Sequence, residues 1–135
     1  MAACCDIMTT SPSTSRPDST IQEVASLMER EDVGIIPIVD GERLVGAVTD
    51  RDIAVRAVAK GLGPDTRAAE VMTSDLATVG PNDSVQKAVD TMGEHQIRRI
   101  FVCENDRLLG VIAQADVARR GADVQTGNLV EKISA

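Results

Sequence analysis

The sequence predicts an α+β fold built from two copies of one small unit. The first observation is an internal repeat with an offset of 64 residues, in which "GERLVGAVTDRD" at 41–52 matches "NDRLLGVIAQAD" at 105–116 without a gap. The second is that each half changes from a helical to a strand-like apolar pattern. The third is composition, because 135 residues with 43% hydrophobic content fit one compact domain with a core of aliphatic side chains.

The first helix of each copy is predicted from its start signal and its apolar period. Ser19 and Asp83 are residue types that cap helix N-termini, and Gln22 and Gln86 follow each of them at the spacing of a capping box. The apolar residues that then recur with the helical period are Ile21, Val24, Ala25 and Met28 in the first copy and Val85, Ala88, Val89 and Met92 in the second.

A hairpin and a second helix follow in each copy. The strands are "IIPIV" and "LVGAV" in the first copy and "RIFVC" and "LLGVI" in the second, joined by the turn sequences "DGE" and "END". The second helices are predicted over about 50–60 and 115–120, and "GLGPDT" breaks the chain between the copies. One such unit is too small to be stable alone. We therefore expect the two copies to share a core by packing their sheets face to face.

These patterns predict four segments. The first repeat covers 4–60, a linker covers 61–67, the second repeat covers 68–122, and a closing segment covers 123–135. Each repeat begins with a short lead-in segment, "CDIMT" in the first copy and "AEVMT" in the second. The tail sequence "LVEKIS" at 129–134 is similar to both, so we expect it to pack on one copy.

Charge and composition exclude several classes of function. A net charge of −7 opposes binding to nucleic acids and anionic membranes, and no apolar run is long enough to span a membrane. The N-terminal residues carry no visible signal peptide, so a cytoplasmic protein is expected. His95 is the single histidine, and neither a nucleophile–base pair nor metal-ligand spacing is visible. We therefore expect neither catalysis, nor a required cofactor, nor a metal site.

The three cysteines favour no disulfide. Cys4 and Cys5 are adjacent and would be strained if they paired with each other. Cys103 aligns with Val39 of the other copy, which is typical of a small buried apolar side chain. A redox role for Cys4 and Cys5 is left open, and it would need exposed thiols of low pKa.

The doubled motifs resemble those of a tandem pair of cystathionine β-synthase (CBS) domains, the Bateman module, in its small stand-alone bacterial form. The resemblance rests on the two lead-in segments, on "VGIIPIVD", and above all on "GAVTDRDI". It covers nearly all of residues 4–120. It implies a non-catalytic regulatory module that binds AMP, ADP, ATP, NAD or S-adenosylmethionine in the cleft between the paired sheets. It also implies a homodimer formed through the helices.

The resemblance also implies the site residues. Asp52 matches the family residue that holds the ribose hydroxyls, Thr49 matches the one near ribose and phosphate, and Ile35, Ile36 and Pro37 match the strand that borders adenine. A carboxylate suits two hydroxyl donors, and a strand leading into a helix N-terminus offers free backbone N–H groups to a phosphate. The same Thr-x-x-Asp pattern is also a capping box, which needs no ligand.

The second copy departs from this pattern. It keeps Asp116 but has Ala113 in place of the threonine and Phe101 in place of the strand proline. The ring of Phe101 could either fill the pocket or stack on a base. Arg98 and Arg99 stand where the first copy has no charge. Adjacent side chains of a strand alternate sides, so we expect at most one of them to face the cleft. The family implies a phosphate ligand at this place, and the alternative is a surface pair that offsets acidic charge. We expect unequal sites, of which the Thr49 and Asp52 site is the better.

Two other functions remain open beside the adenosyl-ligand sensor. The chain could be a ligand-free dimeric scaffold that holds a partner protein, which the missing threonine and the added Phe101 favour. It could also be a thiol sensor that uses Cys4 and Cys5.

Overall fold

The computed structural model of the protein describes residues 2–124, with side chains as far as residue 119. Two compact units are present: the first is Ser13–Leu76, and the second combines Met1–Pro12 with Ala77–Ala135. The predicted tail element at 129–134 lies outside the described residues. No helix in the described part of the chain has both the length and the apolar character needed to cross a membrane.

The elements are, in chain order, α1 (Cys4–Ile7), β1 (Thr9–Thr10), α2 (Ile21–Glu31), β2 (Ile35–Asp40), β3 (Arg43–Thr49), α3 (Asp50–Asp52), α4 (Ala68–Val71), β4 (Thr78–Val79), α5 (Val85–His95), β5 (Arg99–Glu104), β6 (Arg107–Ala113) and α6 (Gln114–Val124). After α3 the helix continues as a π-helical turn, Ile53–Ala57, and a 3₁₀ turn, Val58–Lys60. The α+β class and the doubling of the unit, both predicted from the sequence, are confirmed.

Strand pairing repeats between the units at the same 64-residue offset as the sequence. In the first unit β2 and β3 form an antiparallel hairpin, with a parallel bridge from Ser15 to Ile38 and an antiparallel bridge from Thr73 to Ala47. In the second unit β5 and β6 form the hairpin, β4 runs parallel to β5, and β1 pairs antiparallel with β6. The equivalent pair to Thr73 and Ala47 is Thr9 and Val111.

The lead-in segments are exchanged between the units. The first copy's segment belongs to the second unit, where the Cys4 N–H donates to the Asp83 carbonyl at 2.8 Å. The second copy's segment belongs to the first unit, where the Ala68 N–H donates to the Ser19 carbonyl at 2.7 Å. Each compact unit therefore contains the helices and hairpin of one repeat and the lead-in segment of the other.

Each unit has its own apolar core between helices and sheet. In the first unit the buried residues are Ile21, Val24 and Met28 of α2, Ile36, Ile38 and Val48 of the hairpin, and Ala57, Ala68 and Val71. The second unit repeats this with Val79, Val85, Ala88, Met92, Ile100, Val102, Ile112, Val117 and Cys4. Most of the apolar stripe predicted for the first helix of each copy therefore faces a core, with Val89 partly buried against it. The prediction that Ala25 belongs to the stripe is wrong, because this residue is exposed.

The predicted N-caps of these helices are wrong by one residue. Thr20 and Ser84 cap α2 and α5, because each side-chain oxygen accepts a backbone N–H three residues later. Ser19 and Asp83 accept backbone N–H groups three residues earlier instead, as in the 2.7 Å bond to Asp83 from Gly80. They close the turn that precedes the helix, a role that residues of the same types also favour.

Candidate functional site

Thr49 and Asp52 form a reciprocal hydrogen-bonded pair where β3 leads into α3. The Asp52 N–H donates to Thr49 Oγ1 at 3.0 Å, and the Thr49 N–H donates to Asp52 Oδ2 at 3.0 Å. This is the capping box that the spacing predicts. It fixes the side chain of Asp52 against the backbone, so the position of the carboxylate is determined by the strand–helix junction.

The carboxylate of Asp52 has two more partners. Asp52 is only 8% exposed. The hydroxyl of Thr73 lies 3.3 Å from Oδ2, and Nε of Arg56 lies 3.6 Å from Oδ1. The first unit thus concentrates a nearly buried negative charge, two hydroxyl groups and one cation around a single strand end, where an alcohol-rich ligand would find both donors and acceptors.

The predicted adenine-bordering residues lie on two different faces of β2. Ile35 lies opposite Thr49 across the hairpin, and Pro37 lies opposite Ala47. Ile36 is 1% exposed and belongs to the core under α2. Because successive side chains of a strand point to opposite faces, the side chain of Ile36 does not share a face with those of Ile35 and Pro37.

The junction between β6 and α6 in the second unit keeps only half of this arrangement. Oδ2 of Asp116 accepts the Ala113 N–H at 2.9 Å, and Oδ1 pairs with Arg119. Ala113 has no hydroxyl that could accept a backbone N–H of the helix, as Thr49 Oγ1 does in the first unit. Phe101 is buried with 4% exposure, which favours the interpretation that its ring fills space rather than stacks on a ligand.

The two adjacent arginines lie in different surroundings. Arg99 is half-buried and lies opposite Ala113 across the hairpin, next to the position where the hydroxyl is missing. Arg98 is exposed, and its carbonyl accepts the Gln114 N–H at 2.8 Å. Arg98 also lines a cavity of about 320 Å³ together with Met92, Ile97 and Gln114. The structure thus brings Arg99 to the junction and Arg98 to a separate cavity beside it.

The cysteines give limited support to thiol chemistry. Cys4 is fully buried in the core of the second unit, its Sγ donates to the Ser84 carbonyl at 3.5 Å, and burial raises its pKa to about 11, with a further contribution from the charge of Asp83. Burial likewise raises the pKa of Cys103 to about 11. Cys5 is exposed. Cys4 therefore lacks the exposure and the low pKa that a thiol sensor needs.

Sequence reasoning missed Arg56 and Thr73 as members of the site. Arg56 stands four residues after Asp52, the spacing at which side chains meet on a helix, and this was the available signal. Thr73 ends the lead-in segment "AEVMT", and it reaches Asp52 only because that segment packs in the first unit.

The chain matches the family model described as CBS domain twice, over residues 4–58 and 68–123. It is 43% identical over 118 residues to the CBS domain-containing protein YhcV of Bacillus subtilis, covering 87% of this chain and 84% of that protein. It is 38% identical over 116 residues to Hypoxic response protein 1 of Mycobacterium tuberculosis, covering 84% of this chain and 81% of that protein.

Solved structures share the same fold. The crystal structure of Hypoxic Response Protein I, with two coordinated zinc ions, gives a TM-score of 0.80 at 37% identity over 87% of this chain and 98% of that one. A second structure is the CBS domain pair of protein MJ0100 in complex with 5′-methylthioadenosine and S-adenosyl-L-methionine. It gives a TM-score of 0.79 at 25% identity, over 92% of this chain and 98% of that one. Among the described residues of the present chain, no group of three or more His, Cys, Asp and Glu side chains is arranged to hold a metal ion.

Proposed function

Since the chain belongs to the CBS domain family and carries the domain twice, we propose that it is a non-catalytic regulatory module that binds an adenosine-containing ligand. The observation that carries the proposal is the Thr49 and Asp52 pair, which holds a nearly buried carboxylate in place at a strand–helix junction. A fixed carboxylate is suited to accept two hydroxyl groups of a ribose at little cost in side-chain ordering.

The adenosine part of the ligand is the best-supported part of the proposal. MJ0100 binds two ligands, methylthioadenosine and S-adenosylmethionine, that differ in charge but share adenine and ribose. Both ligands carry the ribose diol, whose two adjacent hydroxyl groups can donate to the two oxygens of one carboxylate. AMP, ADP, ATP and NAD carry the same diol on at least one adenosine, so they belong to the same proposed ligand class.

The placement of the remaining candidate residues supports the following assignments. Ile35 and Pro37 share the face of the hairpin that begins opposite Thr49, and we assign them to the border of the base. Ile36 contributes its backbone only, because its side chain is in the core. In the second unit we assign a weaker site to Asp116, with Arg99 as the cation beside it, because Ala113 cannot complete the cap.

We further propose that the protein is a cytoplasmic homodimer that signals through a change in conformation or in dimer contacts. The exposed apolar residues Val55, Val58 and Leu62, which follow α3, leave a surface that a second copy of the chain could cover. No nucleic acid or membrane is expected as a partner, given a net charge of −7.

A ligand-free scaffold is the second candidate function. It is favoured by the fact that Thr49, Thr73 and Arg56 already occupy the carboxylate of Asp52, so that the polar site is satisfied without a ligand. In that case the protein would act only by holding a partner protein or a second copy.

Thermal unfolding against a panel of adenosyl ligands separates the two functions. A ligand present at 100 times its dissociation constant should add about 2.7 kcal/mol to the free energy of unfolding. Adenosine and 2′,3′-dideoxyadenosine form a matched pair that differs only in the diol. Stabilisation by adenosine and not by the dideoxy compound supports the sensor, whereas no stabilisation by any member of the panel leaves the scaffold.

A further inference from the structure

Arg56 joins the site carboxylate to the second copy's lead-in segment, "AEVMT" at 69–73. Its Nε lies 3.6 Å from Oδ1 of Asp52. Its Nη1 donates to the carbonyls of Val71 and Met72, at 3.4 and 3.2 Å. These carbonyls lie at the C-terminal end of α4, where a helix leaves acceptors without intrahelical partners. A single guanidinium therefore holds the end of α4 and the carboxylate together.

Of the contacts that Thr49, Thr73 and Arg56 make with the Asp52 carboxylate, the one with Arg56 is the weakest. A carboxylate offers about four acceptor positions. The Thr49 N–H occupies one of them at 3.0 Å as part of the cap, and the hydroxyl of Thr73 shares both oxygens at 3.3 and 3.4 Å. Arg56 stands at 3.6 Å, and its side chain is 52% exposed, so water readily replaces it.

We propose that a ribose diol and Arg56 compete for Oδ1 of Asp52, so that ligand binding releases Arg56 and loosens the end of α4. The inference rests on the proposed function, because it needs a ligand whose hydroxyl groups bind Asp52. Two hydroxyl donors need two acceptor positions, and the cap bond from Thr49 cannot be given up without uncapping α3. Arg56 is therefore a positioning residue of the site.

The release would act on the lead-in segment of the second copy, at the C-terminal end of α4. Without its anchor on Asp52, the guanidinium no longer holds the carbonyls of Val71 and Met72 in one geometry. The backbone pairing of Thr73 with Ala47, at 2.8 and 2.9 Å, stays in place, so the segment loosens at α4 without detaching. Arg56 also lies in the π-helical turn that follows α3, a feature frequent at functional sites.

The affinity test uses 5′-methylthioadenosine. Because this ligand is uncharged, removing the charge of Arg56 does not change affinity through a direct attraction or repulsion between that charge and the ligand. Arg56→Met removes the guanidinium and keeps the side-chain length, and Lys60→Met makes the same charge change at an exposed position of the same helical segment. By calorimetry, Arg56→Met should bind about two- to fivefold more tightly, as expected when a half-exposed ion pair is removed. Lys60→Met should bind as the wild type does, and Arg56→Lys should lie between the two.

Hydrogen exchange of the amides of 68–72 tests the coupling. In the wild type, saturating methylthioadenosine should speed this exchange, whereas in Arg56→Met it should already be fast and should not respond to the ligand. The amides of α5 serve as the internal control for a general loss of stability. A purely structural Arg56 would change exchange without changing the response to ligand.

Two results would overturn the inference: equal or weaker binding by Arg56→Met, or slower exchange at 68–72 in the ligand-bound wild type. A wild-type protein that binds no adenosyl probe would instead overturn the proposed function, and this inference with it.

Discussion

Replacing Gly46 by alanine should destabilise the first unit, because the lead-in segment passes directly over this glycine. A Cβ at position 46 would lie 2.7 Å from Sδ of Met72 and 2.9 Å from the carbonyl oxygen of Thr73. The methionine side chain is able to move. The carbonyl oxygen is not, since it accepts the Ala47 N–H at 2.9 Å in the bridge that fixes the segment.

The size of the effect follows from these contacts. Overpacking a well-packed site costs about 1–3 kcal/mol. Weakening one of the bridge hydrogen bonds adds about 0.5–1.5 kcal/mol. Alanine loses less backbone entropy on folding than glycine does, which offsets about 0.5–1 kcal/mol of this destabilisation. We expect a net loss of about 1–3 kcal/mol, which is a fall in Tm of roughly 4–12 °C for a chain of this length.

The assay is urea unfolding followed by circular dichroism, with Gly93→Ala as the matched control. A Cβ at Gly93 meets nothing within 4 Å, and the position lies in α5, where alanine should stabilise by up to about 1 kcal/mol. Gly110→Ala should behave like Gly46→Ala, since its Cβ would lie 2.7 Å from the Thr9 carbonyl oxygen. If Gly46→Ala proves as stable as the wild type, the close packing of the lead-in segment is refuted.

Three further predictions concern acid stability, thiol reactivity and the second copy. The backbone N–H of Gly80 holds the pKa of Asp83 below its ordinary value of 3.8, so the stability from this charge is present above pH 3.8 and is lost as the pH falls through the folded pKa. Asp83→Asn should therefore melt below the wild type at pH 7, and the gap should narrow towards pH 3; a constant gap would contradict this. In a thiol-reagent assay at pH 8, Cys5→Ser should remove the fast-reacting thiol, because Cys5 is exposed while burial raises the pKa of Cys4 to about 11; a persisting fast phase would argue against it. Ala113→Thr should complete the cap of α6 and raise the free energy of unfolding by about 1 kcal/mol, measured without ligand, and an unchanged value would show that the added hydroxyl does not reach the helix.

Much of the fold was predictable because the signals are local and doubled. The apolar period of α2 and α5, the hairpin turns and the Thr49 and Asp52 cap all depend on residues close in sequence. The one-residue error at the N-caps arose where two adjacent cap-type residues, such as Ser19 and Thr20, compete for two turns. Local pattern alone does not decide between them.

The exchange of lead-in segments was not predictable from the same signals. "CDIMT" and "AEVMT" present nearly the same side chains. Either segment could therefore pack over the glycine of either hairpin, Gly46 or Gly110. For the same reason the contacts of Thr73 and Arg56 with Asp52 and α4 could not be derived, since they depend on which segment packs where. Strand alternation could have predicted that the side chain of Ile36 lies in the core. The family motif assigns the whole strand to the adenine border and does not separate its two faces.

The assignment of the ligand to the Thr49 and Asp52 site is tested most directly by comparing Asp52→Ala with Asp116→Ala in calorimetric titrations with adenosine. Losing a charged acceptor for the ribose hydroxyls should cost about 1.5–3 kcal/mol of binding, which is about tenfold or more in affinity. Each variant loses one hydrogen bond, from the backbone N–H of residue 49 or 113 to the removed carboxylate. Circular dichroism before titration shows whether the two variants are folded to the same extent. Asp52→Ala should lose much of the affinity for adenosine, and Asp116→Ala should lose little. Equal losses, or a larger loss at Asp116, would contradict the assignment of the ligand to the Thr49 and Asp52 site.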